Sequence, residues 1–536
     1  MDIQFDKLRH IGGGRILKKI ICTLLIVILL TSPAFPLFAD NERIMVKLNN
    51  MDLSFDVPPA NIVGRTMVPL RQIFEELGME VLWNEATKAV VGKKAGLEIR
   101  LQQDNNNAFV NGNKILLDVP SKSINGRTLV PVRFIAESTG AKVFWDEYNK
   151  TVYISTSNDN TLTLDKIKAS ADLSSEGWRL DKTGKSDDAL LHFDKAIALD
   201  SFNCNAYYNK GLVYEKQNKL GEALKNYDAA LKININSTIV HYTKANALYN
   251  FGRYIESARD YEEFAKYSKD KSKGTMISIM ATMLFGKKRY EESILFYDIV
   301  IKYCTDNVEL AYNNKAAALG YLNRYEEALQ NYDKAIQLNP NVSKFYNNKG
   351  FIYMSKGNYE EAIKWFDKAI QLEPKVTDYY LNKGYSLFNL QKYDEAIESL
   401  TKSLTDDASI HTYGLIVQSL IDQKKYQEAH KYCDAAIKVI PNNAYIYVMK
   451  GSIFFLEKKY KESIEIYNKA AELDNNYVTP YYHNAINYAI IDDQEKALEY
   501  LRKAIELDST IKFVAPKLSY FDKMKSNIEF IKLMSE

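Results

Sequence analysis

Three consecutive residues in the middle of the chain, Asn331-Tyr332-Asp333, have the types and order needed for redox chemistry. A tyrosine between an asparagine and an aspartate is the setting in which a bound copper ion oxidises the ring to a quinone cofactor. That reaction requires several neutral imidazoles beside the tyrosine, normally a His-x-His pair and a third histidine. The histidines of this chain form no such pair; they are His10, His192, His241, His411, His430 and His483.

The spacing around Tyr332 favours a packing role instead. Tyr332 follows Ala328 by four residues and precedes Ala335 by three, so the three side chains share one face of a helix. A second tripeptide, Asn226-Tyr227-Asp228, has the same surroundings, and two copies of a cofactor precursor make no mechanistic sense. We therefore predict that Tyr332 is a packing residue and that the protein has no cofactor and no metal site.

Other catalytic constellations are also missing from the sequence. It contains no Gly-x-Ser-x-Gly elbow, no Walker loop, no His-Glu-x-x-His helix and no paired-cysteine metal motif. Cys204, Cys304 and Cys433 are far apart and odd in number, which favours small buried hydrophobes over a disulfide framework, with reactive or ligating thiols as the alternative. We predict no catalytic residues and a protein that is not an enzyme.

The composition is typical of a folded protein without a dominant charge. Hydrophobic residues make up 46% of the 536 residues and charged residues 26%. The net charge is +2, from 70 basic and 68 acidic side chains, so no global field attracts a polyanion. Nucleic acid is therefore not an expected partner.

Residues 1–39 have the pattern of an export signal. Basic residues between Lys7 and Lys19 precede the apolar run from Ile20 to Leu30, which is short for a membrane span. Cleavage is expected after Ala39 or near Ser32-Pro33-Ala34, and an uncleaved membrane anchor is the alternative. Either outcome predicts an exported protein, extracellular or attached to the cell surface.

A duplicated segment follows the leader. "GRTMVPLRQIFEELGMEVLW" (64–83) returns as "GRTLVPVRFIAESTGAKVFW" (126–145), each copy with a helix after its proline, a C-terminal glycine, and then strand, turn and strand. Residues 41–156 thus resemble the copper amine oxidase N-terminal-like (stalk) domain of exported Gram-positive proteins. The resemblance implies a presenting or attaching module and transfers no copper chemistry. Arg71 and Arg133 occupy equivalent positions, where each either holds a wall polymer or partner carboxylate or ties its helix to a neighbouring strand or turn.

A small-x3-aromatic-x2-small pattern repeats after residue 170 with a period near 34, as in Ala328, Tyr332 and Ala335 or Ala362, Phe366 and Ala369. This pattern resembles the tetratricopeptide repeat, a pair of antiparallel helices. We predict a mostly α protein: a superhelical solenoid of about ten repeats over 170–511, joined by a linker at 157–169 to a small α+β domain of two tandem repeats. Residues 512–536 are predicted to form a C-terminal capping helix.

The first helix of each tetratricopeptide pair lines a concave groove, so the resemblance implies where a protein or peptide would bind. Repeat positions 5, 6, 9 and 12 are rich in aromatic rings and amides, and the asparagines at position 6 suggest a ladder for extended peptides. The alternative is that Tyr and Asn are simply abundant. The predicted groove residues are Tyr208, Asn209, Tyr242, Asn246, Tyr249, Asn314, Asn348, Phe351, Asn382, Tyr385 and Phe388.

Together these features predict a non-catalytic exported adaptor that binds protein partners at the cell surface. The alternatives are a wall-associated module whose N-terminal domain recognises envelope polymer, an enzyme with an undetected site or an accessory subunit of an extracellular enzyme, and a self-associating assembly. A membrane contact is expected only if the leader stays uncleaved.

Overall fold

The computed structural model describes residues 44–49, 51–146, 150–156, 158–404 and 410–535. The predicted leader, 1–39, lies outside the described residues. The described chain forms two compact units, residues 44–307 and 308–535, each considered by itself below. Within the described ranges no helix combines the length and apolar character needed to cross a membrane.

In the part of the N-terminal domain that the structure describes there are thirteen short strands and two helices. The helices are α1 (Leu70–Glu76) and α2 (Val132–Ser138), and Gly78 and Gly140 after them have φ of +74° and +82°, the left-handed C-terminal position expected for glycine. The strands are β1 (Met45–Leu48), β2 (Met51–Asp52), β3 (Ala60–Ile62), β4 (Arg65–Pro69), β5 (Glu80–Asn84), β6 (Ala89–Lys94), β7 (Leu97–Gln102), β8 (Asn107–Val110), β9 (Asn113–Leu116), β10 (Lys122–Ile124), β11 (Arg127–Pro131), β12 (Lys142–Asp146) and β13 (Thr151–Ser155).

The two copies of the duplicated segment meet at a pair of equivalent strands. β4 and β11 are antiparallel, and the central pair joins Val68 to Val130, residues that correspond between the copies. Both side chains are fully buried. The sheets order as β12-β13-β1-β2, β10-β11-β4-β3 and β5-β6-β7-β8-β9, so strand β1 completes the sheet of the second copy.

Helices fill the rest of the described chain. Consecutive helices pack as antiparallel pairs, α3 with α4 through α21 with α22, ten pairs within the described residues. Their bounds are α3 (Asn158–Lys182), α4 (Ser186–Leu199), α5 (Cys204–Lys216), α6 (Leu220–Ile233), α7 (Thr238–Asn250), α8 (Tyr254–Tyr267), α9 (Lys273–Gly286), α10 (Tyr290–Tyr303), α11 (Val308–Tyr321), α12 (Tyr325–Leu338), α13 (Ser343–Ser355), α14 (Tyr359–Leu372), α15 (Thr377–Asn389), α16 (Tyr393–Lys402), α17 (Ile410–Asp422), α18 (Tyr426–Val439), α19 (Ala444–Leu456), α20 (Tyr460–Leu473), α21 (Val478–Ile490) and α22 (Gln494–Leu507).

Glycines let the two helices of a pair approach closely. A Cβ on Gly350 would lie 2.7 Å from the ring of Phe366, sixteen residues later. Gly211 faces Tyr227 in the same way, at 2.5 Å. The small and aromatic positions of the sequence pattern are therefore the contact between paired helices.

The ends of the helical region differ from prediction. The prediction of a linker at 157–169 is wrong, because helix α3 begins at Asn158 and buries Leu164 and Ile167. The single capping helix expected at 512–536 is also wrong. Pro516 cannot continue an α-helical hydrogen-bond ladder, and the segment breaks into short pieces that nevertheless bury Phe521 and Phe530 against the last helix pair. The pieces are α23 (Ile511–Val514), two 3₁₀ segments (Ala515–Lys517 and Ser519–Met524) and α24 (Ile528–Ser535).

Candidate functional site

The Asn-Tyr-Asp tripeptide is structural at each of its three positions. Tyr332 is 2% exposed, and burial raises the pKa of its phenol. Asn331 Nδ2 donates to the carbonyl oxygen of Glu327 at 2.7 Å, one turn back in the same helix. Asp333 forms an ion pair with Lys349. The tyrosine is thus a packing residue with two supporting neighbours.

The lysine–aspartate pair belongs to a recurrent set. In each case an aspartate of the second helix of one repeat pairs with a lysine sixteen residues later, in the first helix of the next repeat. The pairs are Asp194–Lys210 (2.5 Å), Asp228–Lys244 (2.9 Å), Asp333–Lys349, Asp367–Lys383 (2.6 Å) and Asp434–Lys450 (2.6 Å). At the last repeat the same spacing is filled by two amides, with Asn484 Nδ2 donating to Asn468 Oδ1 at 2.7 Å.

A row of amides runs across α11, α13 and α15 in residues 308–404. Asn382 Nδ2 donates to Asn347 Oδ1 at 3.0 Å, and Asn347 Nδ2 lies 3.5 Å from Asn348 Oδ1. Asn348 Nδ2 donates to Asn313 Oδ1 at 3.0 Å, and Asn313 Nδ2 donates to Asn314 Oδ1 at 2.9 Å. Asn313 is buried, whereas the other four amides are half-buried. We name these five residues the amide row.

Aromatic side chains stand on the same helices as the amide row. Phe351 on α13 is 47% exposed, and Tyr385 and Phe388 on α15 are half-buried. Their support is local: the Tyr385 ring lies edge-on to Tyr359 at 6.5 Å, and Phe388 lies 6.0 Å from Tyr393. The first helices of these repeats therefore present amides and accessible apolar rings together.

The predicted groove residues of the unit at 44–307 are more enclosed. Tyr208 and Tyr242 are half-buried, and the Tyr208 hydroxyl lies 3.2 Å from Thr243 Oγ1. The half-buried Asn246 already accepts a hydrogen bond from the hydroxyl of Tyr261.

Two of the predicted residues in this unit are buried. Asn209 is only 8% exposed and Tyr249 only 5%. The Tyr249 ring packs edge-on against Tyr254 and Phe296. Asn209 and Tyr249 are therefore buried, although both were predicted to line an accessible groove.

Two arginines of the N-terminal domain form ion pairs between its two copies. Arg65 pairs with Asp118, and Arg127 pairs with Asp56 at 2.6 Å, so each copy supplies the cation for an aspartate of the other. The hydrogen bond from Arg127 lowers the pKa of Asp56, and that from Arg65 lowers the pKa of Asp118.

The two arginines singled out from the sequence do not tie their helices to strands or turns. Among the described residues, the one ion-pair partner of Arg133 is Glu137 of its own helix, at 4.0 Å. Arg71 is exposed and has no hydrogen-bond or ion-pair partner among the described residues.

Known protein families match both the N-terminal domain and the helical repeats. Residues 47–154 match the copper amine oxidase N-terminal domain family. Residues 204–237, 310–342, 343–376, 377–405, 415–478 and 480–511 match tetratricopeptide repeat families. The chain carries a copper amine oxidase N-terminal domain followed by tetratricopeptide repeats.

Several characterised proteins share the tetratricopeptide repeats. The chain is 37% identical over 93 residues to a DnaJ homolog subfamily C member 3 homolog of Dictyostelium discoideum, which covers 17% of this chain and 18% of that protein. It is 30% identical over 124 residues to the mitochondrial import receptor subunit TOM70 of Homo sapiens, covering 22% of this chain and 20% of the receptor. The chain thus spans about a fifth of the length of these two relatives.

Solved structures with the same repeat include YrrB, described as a TPR protein with an unusual peptide-binding site. It is 24% identical, with a TM-score of 0.30, over 35% of this chain and 98% of that chain. Yeast Tom70 is 17% identical, with a TM-score of 0.33, over 68% of this chain and 91% of that chain. Tetratricopeptide repeats are typical of protein–protein interaction scaffolds.

Sequence reasoning missed the crossed ion pairs of the copper amine oxidase N-terminal domain. A signal for them was present: Asp56 and Arg65 recur as Asp118 and Arg127, at the same offset as the duplicated segment. The lysine–aspartate pairs of the tetratricopeptide repeats were readable in the same way, from their constant spacing of sixteen residues.

Proposed function

We propose that this protein is an exported, non-catalytic adaptor that holds an extended segment of a partner protein on the first helices of its tetratricopeptide repeats. The amide row of residues 313–382 carries the proposal. Asparagine amides pair with peptide N–H and C=O groups whatever the side chains of the peptide, so a row of them suits an extended backbone. The leader supplies the basis for export.

The amide row has capacity left for a ligand. Each amide has two N–H donors and an oxygen with two lone pairs, and the bonds within the row use about one of each. The bonds between neighbouring amides also hold the side chains in fixed rotamers, which lowers the entropy lost on binding. Phe351, Tyr385 and Phe388 add apolar area that side chains of the ligand can cover.

Peptide selection and a matched set of variants test this proposal. Peptides selected from a random display library against the chain from residue 40 onwards would be titrated by fluorescence polarisation. The Asn348→Ala/Asn382→Ala and Tyr385→Ala/Phe388→Ala variants are each expected to bind about tenfold or more weakly. Phe202→Ala is the control, because Phe202 is 71% exposed and lies in the turn between α4 and α5.

The pattern of losses decides the result. Unchanged binding by both double variants, with their helical circular dichroism intact, would show that the peptide sits elsewhere. Loss in the amide variant for peptides of unrelated sequence would support recognition of the backbone.

A second candidate role is attachment to an envelope polymer through the copper amine oxidase N-terminal domain. One observation favours it: Arg71, at a position conserved between the two copies of this chain, is exposed and has no partner among the described residues. A guanidinium free of internal bonds can donate up to five hydrogen bonds to an oxygen-rich ligand. Cosedimentation of the full chain with insoluble envelope material measures this attachment directly.

A further inference from the structure

A polar cleft opens in the N-terminal domain where the two copies meet. Its volume is about 830 Å³, within the range of roughly 300–1,000 Å³ typical of small-ligand sites. Helix α1 and strand β5 of the first copy form one side, and the turn between β10 and β11 of the second copy forms the other. The crossed pair of Asp56 with Arg127 therefore lies in the cleft wall and holds its two sides together.

The lining of the cleft includes an accessible tryptophan. Trp83 is 39% exposed, and its indole Nε1 donates to Glu85 Oε2 at 2.6 Å, which fixes the orientation of the ring. Val81 lies on the same face of β5, two residues before it, and packs on the domain core. An indole beside a valine side chain offers a flat apolar surface with its polar edge already satisfied.

The second copy does not repeat this arrangement. Trp145, the counterpart of Trp83, packs against the core of the domain, and helix α3 packs on its strand β12. The copies therefore share a sequence pattern, but only the first copy exposes its tryptophan in the cleft.

Groups suited to hydroxyls line the same cleft as the tryptophan. Within the described residues, Arg71 has no partner and the half-buried amide of Gln103 makes no side-chain hydrogen bond. Both can donate to hydroxyl and ring oxygens. Glu75 and Glu76 on α1 can accept from hydroxyl groups, and the hydroxyl of Thr128 can do either.

The charges of the cleft select between classes of polymer. Three carboxylates, Asp56, Glu75 and Glu76, face two guanidiniums, Arg71 and Arg127. A polyanion would meet this acidic excess unfavourably, and a fully apolar ligand would leave the polar groups unpaired. A neutral chain of sugar rings satisfies both demands, because its C–H faces pack on the indole while its hydroxyls pair with the surrounding groups.

We propose that this cleft is a binding site for a neutral pyranose glycan, with Trp83 as the stacking platform and Arg71 as the principal free donor. The proposal rests on the attachment role given above as the second candidate function, and it supplies that role with a site and a ligand class.

Calorimetric titration of the full chain from residue 40 with two probes, cellohexaose and the hexamer of N-acetylglucosamine, tests the site. Saturable binding of at least one probe is expected. Trp83→Ala should weaken it by about tenfold or more, and Arg71→Ala by roughly fivefold. Arg133→Ala is the matched control for Arg71, since it changes the equivalent exposed arginine of the other copy, and it should stay within about twofold.

The variant Phe109→Ala, which removes another exposed aromatic ring on β8, controls for loss of any surface ring. Near-ultraviolet circular dichroism and the melting temperature of Trp83→Ala report whether the domain remains folded. If Trp83→Ala is unfolded, the Arg71→Ala and Arg133→Ala pair still decides, because both arginines lie on the surface.

Cosedimentation with insoluble envelope material separates this site from the attachment role. No saturable binding of either hexamer up to about 10 mM, or equal binding by Trp83→Ala, Arg71→Ala and the unaltered chain, would overturn the glycan site. If the chain still sedimented with the envelope in that case, attachment would stand through another surface. Salt-reversible attachment that is lost in both Trp83→Ala and Arg71→Ala would identify a polyanion as the ligand of the cleft and would also overturn the neutral-glycan assignment.

Discussion

Tyr227 and Tyr332 share an Asn-Tyr-Asp setting but differ in what their hydroxyls do. The Tyr227 hydroxyl donates to Glu215 Oε2 at 2.6 Å, whereas Tyr332 has no hydrogen-bond partner among the described residues. Both rings are buried between the two helices of a repeat. In both motifs the tyrosine ring packs between helices and the aspartate pairs with a lysine of the next repeat. Only the hydroxyl of Tyr227 has an additional hydrogen-bonding role.

This difference predicts different responses to the loss of one oxygen. Tyr332→Phe is expected to change stability by less than about 1 kcal/mol, whereas Tyr227→Phe should cost about 1.5–3 kcal/mol, because it strands a half-enclosed carboxylate. Tyr332→Ala should cost about 3–5 kcal/mol through the cavity it leaves. Native-state hydrogen exchange in the helices around each site measures these changes repeat by repeat, which suits an array that need not unfold in one step. Equal costs for the two Tyr→Phe variants would contradict the assignment.

Helices depend on groups supplied by distant turns. Asp306, between α10 and α11, accepts hydrogen bonds from the backbone N–H groups of Gly274 (3.0 Å) and Thr275 (2.7 Å) in the first turn of α9. A Cβ on Gly274 would lie 2.5 Å from Asp306, so the close approach requires glycine there. The Asp306 carboxylate thus caps the N-terminus of α9 and ties it to the turn between α10 and α11.

The cap makes the stability of α9 depend on pH. Burial alone would raise the pKa of Asp306, but the hydrogen bonds from Thr275 and Gly274 outweigh it and lower the pKa below its ordinary value of 3.8. A carboxylate with a lowered folded pKa stabilises the protein fully above its ordinary pKa, and this contribution is lost as the pH falls through the folded pKa. Hydrogen-exchange protection of α9 should therefore be constant above about pH 5 and decline below about pH 4.

The variant Asp306→Asn isolates this contribution. Its α9 protection should be lower at pH 7 and should lack the part of the acid decline that belongs to this group. Other carboxylates titrate in the same range, so the difference between the two proteins is the quantity to compare. An identical decline in α9 protection with acid in the unaltered protein and in Asp306→Asn would show that Asp306 does not cause it.

At the scale of the whole molecule, the first and last strands of the N-terminal domain, β1 and β13, pair with each other. β1 pairs in parallel with β13 from Met45↔Thr151 to Leu48↔Ile154, and Val46 and Leu48 are buried. The second copy therefore takes its inner strand from the start of the domain, more than a hundred residues earlier.

Removing β1 should destabilise β13, the last strand of the domain in the sequence. A chain beginning at residue 54 is expected to lose amide protection along β13, where Val152 and Ile154 would be exposed at a new sheet edge. A chain beginning at residue 44 keeps both strands and is the control. Undiminished protection of β13 in the shorter chain would show that β1 is dispensable.

Local periodicity was sufficient to predict both repeat systems, because helix and strand geometry act over a few residues. The recurrent small and aromatic positions, such as Ala362 and Phe366, carried the resemblance to paired helices, and the glycines after α1 and α2 predicted left-handed C-terminal positions. The export signal and the adaptor role remain predictions, since the first lies outside the described residues and the second awaits a partner.

Long-range packing decided what the sequence left open. The sequence selected Tyr249 and Phe388 by the same positional rule, yet Tyr249 is buried among rings from other helices and Phe388 remains half-accessible. Arg65 and Arg71 are six residues apart, yet Arg65 pairs with Asp118 of the other copy, whereas Arg71 has no partner among the described residues. Exposure and charge pairing depend on residues far away in the chain, so the periodicity of a single repeat cannot specify them.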